Sequence, residues 1–235
     1  MITLPQIPPM PIPILLRILP LLAALLLAGC VTNRTSAVRT HPANPKVQLA
    51  NVYRPPVTGV LTRVAVLPLS GDVQPLEALR EMDKTFYAEF NKPQVFEGVQ
   101  VSRAEMARLI HREQISSTEP IPQELLLALQ QKYSAEAVLF IDVTHYRPYR
   151  PISISVRTKL VSLKTNQVLW AIDSTFDSAE PGVAEAARTF SKLTEQNPVI
   201  LKASDSSGVL LSPQRFARYV AREIFATLPN RSLPQ

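Results

Sequence analysis

The sequence predicts an α/β fold, a mixed β-sheet with helices packed on its faces, and three observations carry that prediction. Residues 137–143 read Ala-Val-Leu-Phe-Ile-Asp-Val, continuous enough in apolar side chains to lie in the middle of a sheet. Residues 152–160 (Ile-Ser-Ile-Ser-Val-Arg-Thr-Lys-Leu) alternate apolar and polar without a break, the period of a strand with one wet face. Between the strand-like runs stand stretches whose apolar residues recur every three or four positions, as the buried stripe of a helix requires. Strands and helices interleaved in this way make a layered sandwich.

Each element has its own signal. Residues 63–69 (Arg-Val-Ala-Val-Leu-Pro-Leu) form a compact β-branched run closed by Pro68, hence a buried strand. Pro75 opens a helix to about residue 91, with Leu76, Leu79, Met82, Phe86 and Phe90 on one face. Residues 96–101 make a second short strand. Ser102 and Glu105 have capping-box spacing and start a helix through His111. Pro122 starts another, with Leu125, Leu126, Leu129 and Tyr133 as its stripe. The strand at 137–143 ends in a proline corner, Pro148 to Pro151, before 152–160. Lys164, Thr165, Asn166 and Gln167 read as a turn and 168–176 as the returning strand, so a hairpin is expected. Residues 179–193 have a helical pattern. Ser212 as N-cap and Pro213 at the first helical position begin a last helix, with Phe216, Tyr219, Val220, Ile224 and Leu228 inward. The segment 195–208 carries no pattern that assigns it.

The amino-terminal part is built differently. Arg17, the apolar run 18–27 and the small residues before Cys30 have the anatomy of a secretory signal. A run of about ten residues is too short to cross the roughly 30 Å hydrocarbon core as a helix. Residues 27–30, Leu-Ala-Gly-Cys, resemble the lipobox of bacterial lipoproteins. That resemblance implies cleavage after Gly29 and a diacylglycerol on the Cys30 thiol, with Leu27, Ala28 and Gly29 as the signal-peptidase motif. The first thirteen residues are proline-rich and uncharged, which is unusual for a signal, so Met10 stands beside Met1 as a candidate start. Ten of the 22 prolines precede residue 59, and 31–58 has neither helical nor strand periodicity, so it reads as a tether. Fully extended at about 3.3 Å per residue, such a tether reaches roughly 90 Å. The expected organisation is a signal over 1–29, a lipidated flexible tether over 30–58 and a periplasmic domain over 59–235.

Composition narrows the chemistry. Of the 25 basic side chains only Arg17 falls within 1–29, so residues 30–235 keep 24 against 19 acids, a net charge of +5. A charge so mild and dispersed argues against a nucleic-acid partner and leaves a modest attraction to anionic lipid or wall polymer. Cys30 is the only cysteine, so its acylation removes any thiol for a disulfide, a zinc site or a nucleophile. There is no glycine-rich phosphate loop, no Gly-x-Ser-x-Gly elbow and no Ser-x-x-Lys. His41, His111 and His145 stand far apart, and only His145, at the exit of the central strand, has a place for a site role. Asp142 interrupts an apolar strand; buried, it must be paired or hydrogen-bonded, and it reads either as a site acid or as a residue at a wet strand end. Asp173 and Asp177, four apart on one strand, share a face that reads first as solvated surface and second as a weak cation site. No catalytic residue, metal or cofactor is assigned.

Three stretches together form a larger pattern: Val64-Ala65-Val66-Leu67-Pro68, Tyr133-Ser134-Ala135-Glu136 entering 137–139, and Val168-Leu169-Trp170 after a polar turn. They resemble a superfamily of bacterial envelope proteins. It includes the lipoprotein activators of penicillin-binding proteins, the curli-secretion lipoprotein and the amino-terminal domain of the Tol-Pal translocation protein. The resemblance covers roughly 60–177. In such proteins a Thr-Gly turn precedes the last strand and Leu-Gly-Ala-Asp is the usual entry step. Thr165-Asn166 and Tyr-Ser-Ala-Glu stand here, so the match is one of pattern, and Asn tolerates a left-handed backbone.

What the resemblance implies is a periplasmic domain that binds protein partners and catalyses nothing, with a peptidoglycan synthase or another envelope-assembly component as the leading partner class. Val31 follows the cysteine where Asp would favour inner-membrane retention, which implies the outer membrane of a two-membrane cell. The alternative is a subunit of a curli-type secretion channel; it ranks second, because such a channel needs long alternating hairpins and only 152–176 offers one, with Arg157 and Lys159 on its outer face, while self-association stays open. The candidate partner surface is the corner with Tyr146, Arg147, Tyr149 and Arg150, because tyrosine and arginine dominate interface hot spots and two prolines stiffen the loop. The same residues also read as an ordinary hairpin corner that shields the sheet edge. Trp170 reads as core.

Overall fold

The computed structural model describes residues 49, 51–56, 61–194 and 206–229. The motif at 27–30, the signal over 1–29, His41, Gly59 and the stretch 195–205 lie outside these residues. Among the described residues the six strands are β1 Val52–Tyr53, β2 Arg63–Val66, β3 Glu97–Gln100, β4 Ala137–Arg147, β5 Ser153–Ser162 and β6 Val168–Asp177. They form one mixed sheet in the order β1-β6-β5-β4-β2-β3. β2 runs parallel to both β3 and β4, whereas β4-β5, β5-β6 and β6-β1 are antiparallel pairs. The helices are α1 Leu76–Asn91, α2 Arg103–Ile110, α3 Gln123–Gln131, α4 Pro181–Thr194 and α5 Pro213–Phe225, with a 3-10 turn at Ser206–Leu210. The chain is therefore an α/β protein with helices on both faces of its sheet.

Strand alternation assigns the two faces. Val64, Leu139, Ile154, Val156, Trp170 and Phe176 enter a large core with α1, α4 and α5. Phe225 of α5 stands edge-on to Phe86 and Phe90 of α1, with ring centroids 6.1 and 5.4 Å apart, a geometry that suits the ring quadrupoles. Ala65, Leu67, Val138 and Phe140 point the other way, into a smaller core with Met106 of α2 and Leu125 and Leu129 of α3. This second core draws chiefly on β2 and β4. Among the described residues no helix lies over the same face of β5 and β6 beyond it.

Three differences from the sequence reading have physical causes. β2 stops at Val66 rather than Leu69: Leu67 N–H still donates to Leu139 O at 3.1 Å, but Pro68 has no N–H to offer. β4 runs on past Val143 to Arg147, because a shift of register between Val143 and His145 lets pairing with β5 resume. Val52 and Tyr53, inside the span read as tether, pair with Ile172 and Ala171 at the edge of the sheet. A two-residue strand is too short to show a period. Leu49 and Leu61, on either side of it in sequence, rest against the main core.

Two polar clusters tie the layers together. Asp83 of α1 and Arg103 of α2 meet at the end of β2: Arg103 Nε donates to Asp83 Oδ2 at 2.6 Å and Nη2 to Leu69 O at 2.8 Å, while Leu69 N–H donates to Asp83 Oδ1 at 2.7 Å. Burial pushes the Asp83 carboxyl up against the downward pull of Arg103. Farther out, Ser102 Oγ caps α2 by accepting from Glu105 N–H at 3.1 Å. The Glu105 carboxylate turns instead to Arg108 and Lys132, each 2.7 Å from Oε1.

Those two cations hold the Glu105 carboxyl down at about 2, from an ordinary 4.5. A carboxyl lowered by folding adds stability above its unfolded value and loses it as pH falls through the folded one. Glu105→Gln is therefore expected to lower the urea midpoint at neutral pH. The gap from the parent should close between pH 4.5 and about 2. A gap independent of pH would contradict this assignment.

Candidate functional site

The corner between β4 and β5 divides its four candidate residues by the geometry of the strand that carries them. Arg147 pairs with Ser153 and faces the open side of the sheet, while Tyr146 pairs with Ile154, whose side chain is in the main core. Arg147 Nε donates to Pro151 O at 2.6 Å and Nη2 to Asp177 Oδ2 at 2.9 Å. One guanidinium thus closes the loop 148–151 on itself and pins it to β6. With both side chains partly exposed the ion pair adds little stability. Its effect is to fix the loop. Tyr149, 81% exposed, and exposed Arg150 stand at the tip of that fixed loop.

Next to the corner, the uncovered face of β5 and β6 is a ladder of cross-strand pairs. Ser155 and Thr175 share a hydrogen bond of 2.8 Å, and Arg157 reaches Asp173 at 2.8 Å. Asp173 and Asp177, the two acids sharing a face, are each matched to an arginine, Arg157 of the adjacent β5 and Arg147 of β4, two strands away. Asp142 is buried and fully engaged: Ser117 donates from N–H at 3.1 Å and from Oγ at 2.6 Å, and Ser116 Oγ at 3.3 Å. Its role is to hold the loop after α2 against the sheet. The cleft of about 370 Å³ around it also takes in Ser70, Gln114 and Arg157. His111 caps α2 with φ 55° and an N–H to Ala107 O of 3.0 Å, and His145 is exposed. Among the described residues, no three or more His, Cys, Asp or Glu gather in a metal-holding group.

Two further grooves open on the domain. A wide one of about 1240 Å³ lies beside the hairpin turn, between Tyr53 and Pro55 on one side and Lys159, Leu163 and Leu169 on the other. A narrower one of about 380 Å³ opens where Tyr146 meets α1 and the start of α5. The residues of the second, including Glu81, Met82, Leu211 and Gln214, have no local signal in the sequence. The lining comes from three separate segments, 78–85, 146 and 211–214, which read as helix face, corner and loop until the fold joins them.

No protein-family model matches this chain, and no curated protein matches it. Several solved structures have a similar fold. Lipoprotein GNA1162 from Neisseria meningitidis is 16% identical over 61% of this chain and 99% of that one, with a TM-score of 0.41. The PelC dodecamer from Paraburkholderia phytofirmans is 13% identical over 58% and 86%, with a TM-score of 0.39. The LpoB C-terminal domain from Salmonella enterica is 15% identical over 49% and 82%, with a TM-score of 0.32. They are likenesses of fold.

Proposed function

We propose that this chain is a lipid-anchored envelope protein whose α/β domain binds a protein partner and positions or activates it, with an envelope-assembly component such as a peptidoglycan synthase as the partner class. The observation that carries the reading is the corner: Tyr149 is 81% exposed on a loop that Arg147 closes through Pro151 O and Asp177. A large amphipathic side chain held out in a fixed position loses little freedom on docking, which makes it an efficient contact. The anchor is Cys30, and Val31 after it supports the outer membrane, facing the periplasm. The lipid confines the domain to a thin layer and raises its effective concentration near a membrane-bound partner.

The expected result of the double substitution Tyr149→Ala and Arg150→Ala is a loss of partner capture of about tenfold or more, with unchanged stability. Co-purification from crosslinked cells reads the first and a urea melt the second. Full capture by a folded double variant would remove the corner from the interface.

A further inference from the structure

Tyr146 leaves the corner on the opposite side of the sheet from Arg147 and packs against the main core. There it lines the groove of about 380 Å³ together with Ala78, Met82 and Thr85 of α1 and Leu211 and Pro213 at the start of α5. The groove is apolar where it is deep, since Met82 is buried. Its rim is mixed: Leu211, 55% exposed, stands with the exposed polar side chains of Glu81 and Gln214. Tyr149, three residues on, stands exposed at the tip of the same corner.

The charge of the groove is one-sided. Glu81 is its only ionisable lining residue besides the Tyr146 phenol. Its carboxylate accepts from the neutral amide of Gln214, whose Nε2 lies 2.5 Å from Oε2. No cation is paired with Glu81 among the described residues. An apolar floor beside a single uncompensated anion calls for an occupant with an apolar side chain and a positive charge next to it.

We propose that this groove and the Tyr149 tip form one docking surface for a partner segment that seats an apolar side chain between Met82, Tyr146 and Leu211 and sets a lysine or arginine against Glu81. The proposal rests on the partner-binding reading and names the chemistry of the bound segment. Two features select protein over a lipid surface: the anion would repel acidic headgroups, and the groove is sized for a side chain rather than a bilayer.

The test uses the full chain in cells, with a photo-crosslinking amino acid placed singly at Leu211, Tyr149 and, on the open sheet face, Thr175. The expected result is capture of one protein at 211 and 149 and not at 175, with a captured peptide that carries Lys or Arg near an apolar residue. Glu81→Lys in the Leu211 background is expected to reduce capture about tenfold, and Glu81→Gln to reduce it less. Glu81 is exposed, so both variants are expected to fold, and a urea melt checks this. A partner captured at 175 alone, a captured peptide that is acidic, or capture at 211 indifferent to Glu81→Lys would overturn the groove while leaving partner binding intact. Failure to capture any protein at all three positions would overturn both.

Discussion

Trp170→Ala is expected to lower the unfolding free energy by about 3–5 kcal/mol, the usual cost of deleting a fully buried aromatic side chain. Trp170 is 0% exposed near the start of β6, in register with Leu160 of β5 and facing the helices of the main core. Its indole N–H donates to Thr227 Oγ1 at 3.1 Å, just past the end of α5. The cavity therefore opens between the hairpin and the last helix, and the transfer and cavity terms add. Since a folded domain holds only about 5–15 kcal/mol in all, the variant is expected to be marginal at physiological temperature. Trp170→Phe keeps most of the apolar volume and loses the hydrogen bond, so it is expected to cost much less. The chain has a single tryptophan, so circular dichroism must follow these melts in place of fluorescence. An alanine variant as stable as its parent would contradict the packing of the hairpin against α5.

The second large effect belongs to Cys30. On the proposed reading, Cys30→Ser, exported behind a signal that is cleaved without acylation, moves the protein from the membrane pellet to the soluble fraction. The domain itself should be unaltered. Its affinity for the partner is then unchanged while its local concentration falls, and capture in cells is expected to drop by about a hundredfold or more. On the same reading the tether contributes reach. Leu49 already rests against the main core, so extended at about 3.3 Å per residue the stretch from Cys30 reaches roughly 60 Å. Restoring acylation at residue 30 should restore capture, which separates anchoring from any effect on the fold.

The legible parts of the fold were those with a strong period. β5 alternated in sequence and alternates in space: Ile154, Val156 and Leu160 are buried in the main core, and Arg157 and Lys159 face the open side. Thr158 is the exception that the pattern hides. It points into the core with 0% exposure and an unpartnered Oγ1, because the strand period places every second residue there whatever its chemistry. Ser212 and Pro213 marked the start of α5, and Ser212 Oγ does accept from Arg215 N–H. Elements without a period were missed: the two residues of β1, and the 3-10 turn at Ser206–Leu210 within a segment that carried no pattern.

The candidate site was legible in kind more than in detail. Tyr146, Arg147, Tyr149 and Arg150 looked like one loop, but the register shift at Val143 extends β4 and sends Tyr146 and Arg147 to opposite faces. Only Tyr149 and Arg150 are left at the tip. Asp142 had to be satisfied somehow, and no local signal named Ser116 and Ser117 as its donors, some 25 residues upstream. Separation in sequence likewise hid the Asp83–Arg103 clamp and the groove around Glu81.

The central claim is a membrane-confined domain that binds an envelope protein. Its most direct test is crosslinking of the full chain in cells, followed by mass spectrometry of what is captured, run in parallel on Cys30→Ser. The account predicts an envelope-assembly protein, such as a peptidoglycan synthase, attached to the parent and lost from the variant. Capture of nothing but ring-sized species of the chain itself would contradict it and favour the channel-subunit alternative.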